Sequence, residues 1–269
     1  MNLQRRIAWT VLLAAVAASL AAGWFTHHSY AEQSRDFISA PPSSQFWLGT
    51  DELGRDRFAR LLYGTRVSLL LAPAAAVLST LIAALIGGAA GYLGGHWERA
   101  VTSGIDLFLS LPWLFLLLAV RALLPLDTSP LTSVAITFAL LGCLGWAAPA
   151  RIIRAGTRTL INSDYLVQAA ASGIPRWRMF WRHLLPNLRP ILLAQFWISV
   201  PLFILSEANL GLLGLGVSEP LPSWGALLRE LENYSAVFQN PWMLAPVVLL
   251  VVVVSCLQLL LRTEERVPC

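Results

Sequence analysis

Lysine is missing from this sequence, in which all 19 residues of the Lys and Arg group are arginines. Without a lysine amine, the chain can form neither a phosphate-binding Gly-x-x-x-x-Gly-Lys-Ser/Thr loop nor a Schiff base with a carbonyl substrate. Both kinds of chemistry are therefore excluded from this polypeptide. We predict that this chain has no ATPase site of its own.

Charge is also scarce, since 13% of the residues are charged, 57% are hydrophobic and the mean hydropathy is +0.64. This leaves too little polar surface to cover a soluble protein of 269 residues. The composition therefore predicts an integral membrane protein in contact with lipid.

Cysteine and histidine are few and are poorly spaced for metal binding. Cys143 and Cys256 lie in apolar stretches and Cys269 is the last residue, which favours structural thiols. Only His27 and His28 form a pair that could touch a metal, and a solvated loop pair is the preferred interpretation. We predict no metal site and no cofactor bound by this chain.

Six apolar stretches are long enough to cross a bilayer core, which takes roughly 20 helical residues. They run approximately over Ile7 to Phe25, Val67 to Leu93, Ile105 to Leu124, Leu131 to Ala150, Pro190 to Leu210 and Pro241 to Leu261. The sequence thus predicts an all-α, polytopic membrane protein with six transmembrane helices. Because Arg5 and Arg6 precede an alanine-rich first stretch, a cleaved signal peptide is the alternative for that segment.

Arginine sets the predicted orientation, because loops rich in Lys and Arg stay in the cytoplasm. The connection between the fourth and fifth stretches has one acid, Asp164, against Arg151, Arg154, Arg158, Arg176, Arg178, Arg182 and Arg189. We therefore predict that this connection and both termini are cytoplasmic. Five arginines of the first outer loop run against the rule: Arg35, Arg55, Arg57, Arg60 and Arg66.

A pair of short helices is predicted inside this connection, between Ser163 and Asn187. Ser163 or Asp164 can cap the first helix and Gly173 can end it. Pro175 suits the first turn of the second helix, and Pro186 is expected to stop it. Four apolar residues recur at helical spacing and are expected to share one face: Trp177, Phe180, Trp181 and Leu184.

The residues of this segment leave three interpretations open. It can be an amphipathic helix that lies on the inner leaflet with its arginines on anionic headgroups. It can be a docking surface for a soluble protein, since Ala169, Ala170 and Ala171 let another backbone approach closely. A nucleic-acid patch is disfavoured in a membrane protein.

Gly173 and the run His183-Leu184-Leu185-Pro186-Asn187 resemble the coupling loop of ABC importer permeases. In that family the pattern Glu-Ala-Ala, three residues, Gly and later Leu-Pro seats in a cleft on an ATPase. The resemblance implies a cytoplasmic coupling-helix loop whose ATPase-coupling residues are Tyr165, Gln168, Ala169, Ala170, Gly173, Trp177, His183, Leu185 and Pro186. At the family's Glu position this sequence has Val167, or Gln168 after a one-residue shift, so no salt bridge is carried over from that position.

Further blocks resemble the dipeptide, oligopeptide and nickel branch of these permeases. They are Leu48 to Asp56, Tyr63 to Leu69, Ser206 to Val217 and Pro222 to Gly225, whereas the ending Leu259 to Glu264 departs from the family. The resemblance implies a permease subunit of an ATP-driven importer for dipeptides or oligopeptides, in the bacterial inner membrane. A nickel or other small-solute importer permease and a membrane scaffold without transport are the alternatives.

The same resemblance implies the partners. These are a second homologous permease, two cytoplasmic subunits that bind and use ATP, and an extracytoplasmic substrate-binding protein, with no nucleic acid. An intramembrane hydrolase is disfavoured, because a serine nucleophile needs a nearby base and no histidine lies inside a predicted span.

The predicted organisation has three parts. Residues 1–66 form an anchor helix and an extracytoplasmic loop, 67–262 the transmembrane domain with the coupling loop at about 163–187, and 263–269 a short cytoplasmic tail. Asp106 and Glu207 are the acids placed closest to apolar sequence. An ionised carboxylate in hydrocarbon is expensive unless it faces protein or water, so both are candidates for the pathway or its gate.

Glycine clusters predict close contacts between helices. Small residues permit such contact where apolar packing supplies no driving force in lipid. The sequence places Gly87, Gly88, Gly91, Gly94 and Gly95 late in the second span, and Gly211, Gly214 and Gly216 where a bend is expected after the fifth.

Overall fold

The computed structural model describes residues 3–26, 28–125 and 128–264, without the side chains of 262–264. His27, Cys269 and the predicted cytoplasmic tail from residue 265 onward lie outside these ranges. Across the described residues the chain is helical, and its one strand-like pairing is an isolated antiparallel bridge between Thr50 and Asp56. The predicted all-α class is confirmed.

Five long apolar segments can span a membrane, and their bounds are Leu3–Leu20, Arg57–Leu93, Pro130–Ile161, Arg189–Leu212 and Pro241–Leu261. A sixth span comes from two helices, Gly95–Ser110 and Trp113–Leu123, which meet the same requirement together but are bent by 88°. The chain is therefore a multi-pass membrane protein with up to six spans, as its composition predicts.

The helices follow in chain order as α1 Leu3–Leu20, α2 Ala22–Phe25, α3 Arg57–Leu93, α4 Gly95–Ser110, α5 Trp113–Leu123, α6 Pro130–Leu144 and α7 Ala147–Ile161. They continue as α8 Asp164–Ala171, α9 Arg176–Arg178, a π-helix Met179–Leu184, α10 Leu185–Asn187, α11 Arg189–Leu212, α12 Trp224–Arg229, α13 Tyr234–Gln239 and α14 Ala245–Glu264. Pro73 lies inside α3 and Pro201 inside α11. Neither proline ends its helix, in keeping with their tolerance in spanning helices.

Helix α3 begins at Arg57, ten residues before the predicted start of the second span at Val67. Local sequence suggests that Arg57 and Arg60 interrupt an apolar helix. The structure neutralises them instead, since Arg57 pairs with Glu230 and Arg60 with Glu219 and Glu230. These acids come from far along the chain, where local periodicity carries no information.

The chain divides into two compact units. Unit 1 comprises Met1–Ala72, Val120–Phe138 and Pro201–Cys269, and unit 2 comprises Pro73–Ala119 and Ala139–Val200. In unit 1, α1 packs against α14. Arg66 holds the end of α1, since its Nε and Nη2 donate to the carbonyl oxygens of Ser19 and Leu20, each at 2.9 Å. A cation at the last carbonyls stabilises a helix C-terminus.

Unit 2 has an apolar core that includes the short helices of the predicted coupling loop. Its buried members are Ala83, Ile105, Ala147, Ala150, Ile153, Leu166, Ala169, Met179, Leu184 and Leu188. Leu166 and Ala169 belong to α8, and Met179 and Leu184 to the π-helix. The loop is therefore packed onto the spanning helices of its own unit.

Helix α3 approaches α7 through glycine, as predicted from the small residues. A Cβ at Gly87 would collide with the carbonyl group of Ala150, and a Cβ at Gly91 would lie 2.8 Å from both Arg154 O and Thr157 Cβ. Gly95, by contrast, has no atom within 4 Å of such a position. Close contact between the helices thus requires Gly87 and Gly91, while Gly95 has a positive φ of 62°.

Candidate functional site

Helix α8 presents one face to the core and the other outward. Ser163 precedes it in an extended conformation, and Gly173 follows its end with φ +74°, a left-handed conformation that glycine adopts without strain. Leu166 and Ala169 are buried, whereas Tyr165 and Gln168 are exposed. A short helix with a packed inner face and an open outer face can receive another protein.

The return segment, residues 174–187, follows Gly173 and is partly a π-helix, a form in which the hydrogen bonds run from i to i+5. This changes the register of its side chains. Leu184 is fully buried, while Trp177 is 64% and Trp181 52% exposed. The expectation that these residues share one apolar face with Phe180 is therefore wrong, because it assumed regular α-helical spacing.

Pro186 does not stop this segment either. It lies inside α10, and α11 begins two residues after α10 ends. Proline is tolerated in the first turn of a helix, where its missing N–H removes no hydrogen bond. The chain therefore passes from the return segment to the spanning helix α11 by way of Leu188, which is fully buried.

Two side-chain contacts hold the coupling segment, residues 163–187, together. The Tyr165 hydroxyl lies 2.7 Å from His183 Nδ1, within hydrogen-bond distance, and links α8 to the return segment. The Tyr92 hydroxyl donates to the carbonyl oxygen of Arg176 at 3.0 Å and links that segment to the end of α3. Of the predicted coupling residues, the structure thus brings Tyr165 and His183 into contact.

The other predicted coupling residues are more dispersed. Trp177 and Pro186 are exposed, Leu185 is half-buried, and Ala170 is exposed on α8. A Cβ added at Gly173 would have no atom within 4 Å, so glycine is required there for its backbone conformation and not for lack of space.

Glu98, an acid not predicted as a site residue, connects α4 to α7. Its carboxylate accepts from Arg154 Nη1 at 2.7 Å and also pairs with Arg158. Asp106, on the same helix, pairs with Arg151. The signal was present in the sequence, because the three arginines lie three and four residues apart on one face of α7.

Glu207 lies in α11 and is completely buried in unit 1. The Ser68 hydroxyl donates to its Oε2 at 3.2 Å, while Oε1 has no hydrogen-bond partner among the described residues. The backbone of Gly225 packs beside it, since a Cβ there would lie 3.0 Å from Oε1. Asp106 differs, because its side chain is 56% exposed.

Trp224 fixes the segment after α11 against α3. Its side chain is fully buried, and its indole N–H donates to Thr65 Oγ1 at 3.0 Å. Its backbone N–H donates to Ser68 Oγ at 3.4 Å. Ser68 therefore connects Glu207 to the backbone of Trp224. Glu207, predicted as a pathway or gate residue, thus lies where α3, α11 and the start of α12 pack together.

Gly211 and Gly214 shape the end of α11, as predicted for a bend. Gly214 has φ +73°, and Leu215 N–H donates to the carbonyl oxygen of Leu210 at 2.9 Å. Gly211 packs directly on the backbone of Gly225. The chain can turn back against the helix only because neither residue has a side chain.

A network of six ion-paired side chains, unforeseen from the sequence, lies elsewhere in unit 1: Asp51, Arg55, Arg57, Arg60, Glu219 and Glu230. Arg60 is fully buried and contacts Glu219 Oε1 at 3.1 Å and Glu230 Oε1 at 3.2 Å. Three cations balance three anions. All members except Arg60 line a cavity of about 530 Å³.

The pKa values of the two glutamates in this network are shifted in opposite directions. Burial opposes ionisation of Glu219, but the hydrogen bond from Arg60 and the charges of Arg60 and Arg55 outweigh it and lower its pKa below the ordinary value. Burial raises the pKa of Glu230, despite the attraction of Arg60 and Arg57. Of the two glutamates, Glu219 is therefore the one whose charged form the fold stabilises.

Glu219→Gln should make the protein less sensitive to acid. A carboxyl group with a lowered pKa stabilises the fold above its unfolded pKa, and that stability is lost as pH falls through the folded pKa. The stability difference between wild type and Glu219→Gln should therefore shrink between about pH 7 and about pH 3. Thermal unfolding of the detergent-solubilised proteins across this range measures it.

The control is Glu232→Gln, which removes an exposed carboxylate of the same cavity that forms no ion pair within the described part of the chain. Its stability difference from wild type should stay nearly constant with pH. A constant difference for Glu219→Gln as well would contradict the prediction.

Comparison with known proteins finds one matching family profile and several similar proteins. The profile of the family described as "Binding-protein-dependent transport system inner membrane component" matches residues 63–264. The chain is 33% identical over 220 residues to the dipeptide transport system permease protein DppC of Bacillus subtilis, a match that covers 82% of this chain and 67% of that protein. It is 32% identical over 225 residues to the oligopeptide transport system permease protein OppC of Haemophilus influenzae, covering 83% and 70%.

A third relative is named for a different cargo. Over 202 residues the chain is 34% identical to the glutathione transport system permease protein GsiD of Pectobacterium atrosepticum, which covers 74% of this chain and 64% of that protein. The residues matched by the family profile, 63–264, include the coupling segment, Glu207 and Trp224.

Proposed function

We propose, from the premise that this chain belongs to the family of binding-protein-dependent transport system inner membrane components, that it is the permease subunit of an ATP-driven importer of peptides. The relatives named for dipeptide, oligopeptide and glutathione transport support a peptide cargo. The single structural observation that carries the proposal is the packed coupling segment, with α8 open on one face in a chain that has no lysine for a phosphate loop.

ATP is hydrolysed on separate subunits in this proposal. Two cytoplasmic ATP-binding subunits press on the exposed face of α8, which includes Tyr165 and Gln168. The force passes through the buried Leu166 and Ala169 into the core of unit 2, and through the Tyr165 to His183 contact into the return segment. A rigid, packed loop transmits such a push without deforming, as alternating access between two states requires.

The orientation follows from charge. We propose that the loop with Arg151 to Arg189 and both termini face the cytoplasm, in accord with the positive-inside rule. The segments that carry the six-residue ion-pair network then face outward, where an extracytoplasmic binding protein delivers the peptide. A second homologous permease completes the pathway.

Glu207 and Asp106 are the proposed pathway or gate residues of this chain. Glu207 contacts Ser68 of α3 and packs beside Gly225. A movement of α3 relative to α11 within unit 1 must therefore either break these contacts or move the segment at Gly225 as well. Asp106 pairs with Arg151 at an exposed surface. A carboxylate buried at 0% exposure in a spanning helix is costly, which is the usual mark of a functional group.

Glu207→Gln should reduce uptake severalfold while the protein still assembles. The carboxamide keeps the shape and can accept from Ser68, but it places an N–H₂ donor or a neutral oxygen where the fold has a carboxylate oxygen beside Gly225. Uptake of labelled dipeptide and the yield of assembled complex measure the two effects separately. The control is Asn209→Ala, an exposed position on the same turn of α11. Unchanged transport by Glu207→Gln would remove this role.

The function itself is tested by uptake in a strain that lacks the gene. Accumulation of labelled di- and oligopeptides should fall to background and return when the gene is supplied, whereas nickel accumulation should not change. A loss confined to nickel would make the chain a nickel permease. Normal uptake of both, together with no stimulation of any co-purified ATPase, would leave only a scaffold role and overturn the proposal.

A further inference from the structure

The cavity of about 530 Å³ in unit 1 is lined by two segments that lie far apart in the sequence. One segment, residues 51–57, leads into α3, and the other follows α11. Among the mostly charged lining residues, Leu53, Ala226 and Met243 add apolar surface. Leu53 is half exposed, so the cavity is open to solvent. Its volume is that of a small-ligand site.

Most charges of this cavity belong to the six-residue ion-pair network, in which three cations balance three anions. The lining has three further charged residues, Glu52, Arg229 and Glu232, and all three are exposed. Among the described residues none of them has an ion-pair partner, although Glu52 Oε1 accepts a hydrogen bond from Asn233 Nδ2 at 3.2 Å. Two carboxylates and one guanidinium are therefore available to a ligand.

Arg229 and Glu232 belong to one short stretch of chain. Arg229 is the last residue of α12, and Glu232 is the last residue of the 3₁₀-helix Glu230–Glu232. Residues three apart in a helical turn are close neighbours, yet these two side chains form no ion pair. The Arg229 guanidinium lies instead beside the turn at Gly214, where an added Cβ would be 3.1 Å from its Nη1. The fold thus holds opposite charges near each other without pairing them.

These charges limit the class of ligand that fits. A simple cation would be attracted to Glu52 and Glu232 but would leave Arg229 unpaired. A metal ion is disfavoured further, because the described part of the chain has no group of three His, Cys, Asp or Glu side chains that could hold one. An anion could pair with Arg229 but would be repelled by the two carboxylates. A zwitterion, with an amino group and a carboxylate, satisfies all three residues.

We propose that this cavity binds a short peptide with free termini, whose amino group lies on Glu52 and Glu232 and whose carboxylate lies on Arg229. The choice of a peptide among zwitterions, and the position of the cavity on the outer side, rest on the proposed function. The peptide side chains pack against Leu53 and Met243, and the charge-balanced network forms the remaining wall. The chain thus holds its cargo at the outer mouth of the pathway.

Saturation-transfer NMR of the purified full-length chain in nanodiscs tests this binding without an ATPase or a binding protein. Alanyl-alanine is compared with N-acetyl-alanyl-alanine and with alanyl-alanine amide, each of which lacks one terminal charge. Wild type should bind the unmodified dipeptide about threefold more tightly than either blocked form, in keeping with the loss of one solvent-exposed ion pair.

Two variants should separate the two ends of the ligand. Arg229→Gln should lose the preference over the amide and keep the preference over the N-acetyl form. The double variant Glu52→Gln, Glu232→Gln should do the reverse, and its glutamine at position 52 still offers an oxygen to Asn233. A melting curve for each variant shows that it is folded. Loss of both preferences in either folded variant would contradict the assignment of the two ends.

Arg35→Gln and Asp36→Asn are the matched controls, since both remove an exposed charge of unit 1 that lies outside the cavity lining. Each control should bind the three ligands as wild type does. Equal binding of the three ligands by wild type, or unchanged preferences in the cavity variants, would overturn the proposal.

Free alanine serves as a fourth probe, because it has the same two charges on a shorter backbone. If alanine binds as tightly as alanyl-alanine, the site takes amino acids and the assignment to peptides is wrong. Failure of the proposed function would appear differently, as absent peptide uptake and absent ATPase stimulation by wild type whatever the NMR result. Normal uptake by wild type without dipeptide binding would overturn this site alone.

Discussion

Replacing Gly211 with valine is expected to abolish accumulation of folded protein in the membrane. A Cβ at this position would overlap Cα and the carbonyl carbon of Gly225 and lie 2.9 Å from its oxygen. Overpacking of side chains costs about 1–3 kcal/mol, and a collision with backbone is worse because the backbone cannot rotate away. The yield of monodisperse protein after detergent extraction, together with its melting temperature, measures the effect.

Gly104→Val is the matched control, since Gly104 also lies in a helix and has no atom within 4 Å of the added carbon. It carries the same change in helix propensity, a gain of less than about 1 kcal/mol because valine forms helices better than glycine, without the collision. If Gly211→Val were extracted and melted as wild type does, the close approach of α11 to the segment at Gly225 would be wrong.

The second large effect is expected from Gln168→Trp in the coupling helix. Gln168 is exposed on α8 beside the buried Ala169, so the new ring should leave the core intact. It would stand between α8 and the ATPase, and loss of a central interface contact commonly costs about 2 kcal/mol or more. We expect ATPase stimulation and peptide uptake to fall by at least about tenfold.

Thr159→Trp provides the same added bulk at an exposed position of α7, on the proposed cytoplasmic side of the same unit. It should retain most of the stimulation. The coupling role of α8 would be refuted by a Gln168→Trp protein that assembles and stimulates the ATPase normally.

The spans were predictable because their signal is local. Long apolar runs identify themselves by length and hydropathy, and the predicted ends of the fifth and sixth spans differ little from those of α11 and α14. The glycine clusters predicted close helix contact for a similarly simple reason, since few other residues permit it in lipid. Gly87 and Gly91 meet this expectation, whereas Gly95 does not.

The candidate site was only partly predictable. The loop and its Gly173 turn followed from composition and spacing, but the π-helix separated Leu184 from Trp177 and Trp181. A π-helix is set by how a segment packs, and the residue spacing did not reveal it. Likewise, the spacing of Arg154 and Arg158 was visible in the sequence, but only the structure showed that Glu98 is their partner.

By itself, the sequence determined that this chain belongs in a membrane, that it lacks the lysine of a phosphate loop, and which loop resembles a coupling element. Those conclusions depend on composition and on neighbours along the chain. Only the tertiary structure decided that Arg60 is buried among Glu219 and Glu230, that Glu207 meets Ser68, and that Arg176 lines a cavity beside α8. These outcomes depend on pairing between residues far apart in the sequence, and the energy of a charge in an apolar fold is decided by that pairing.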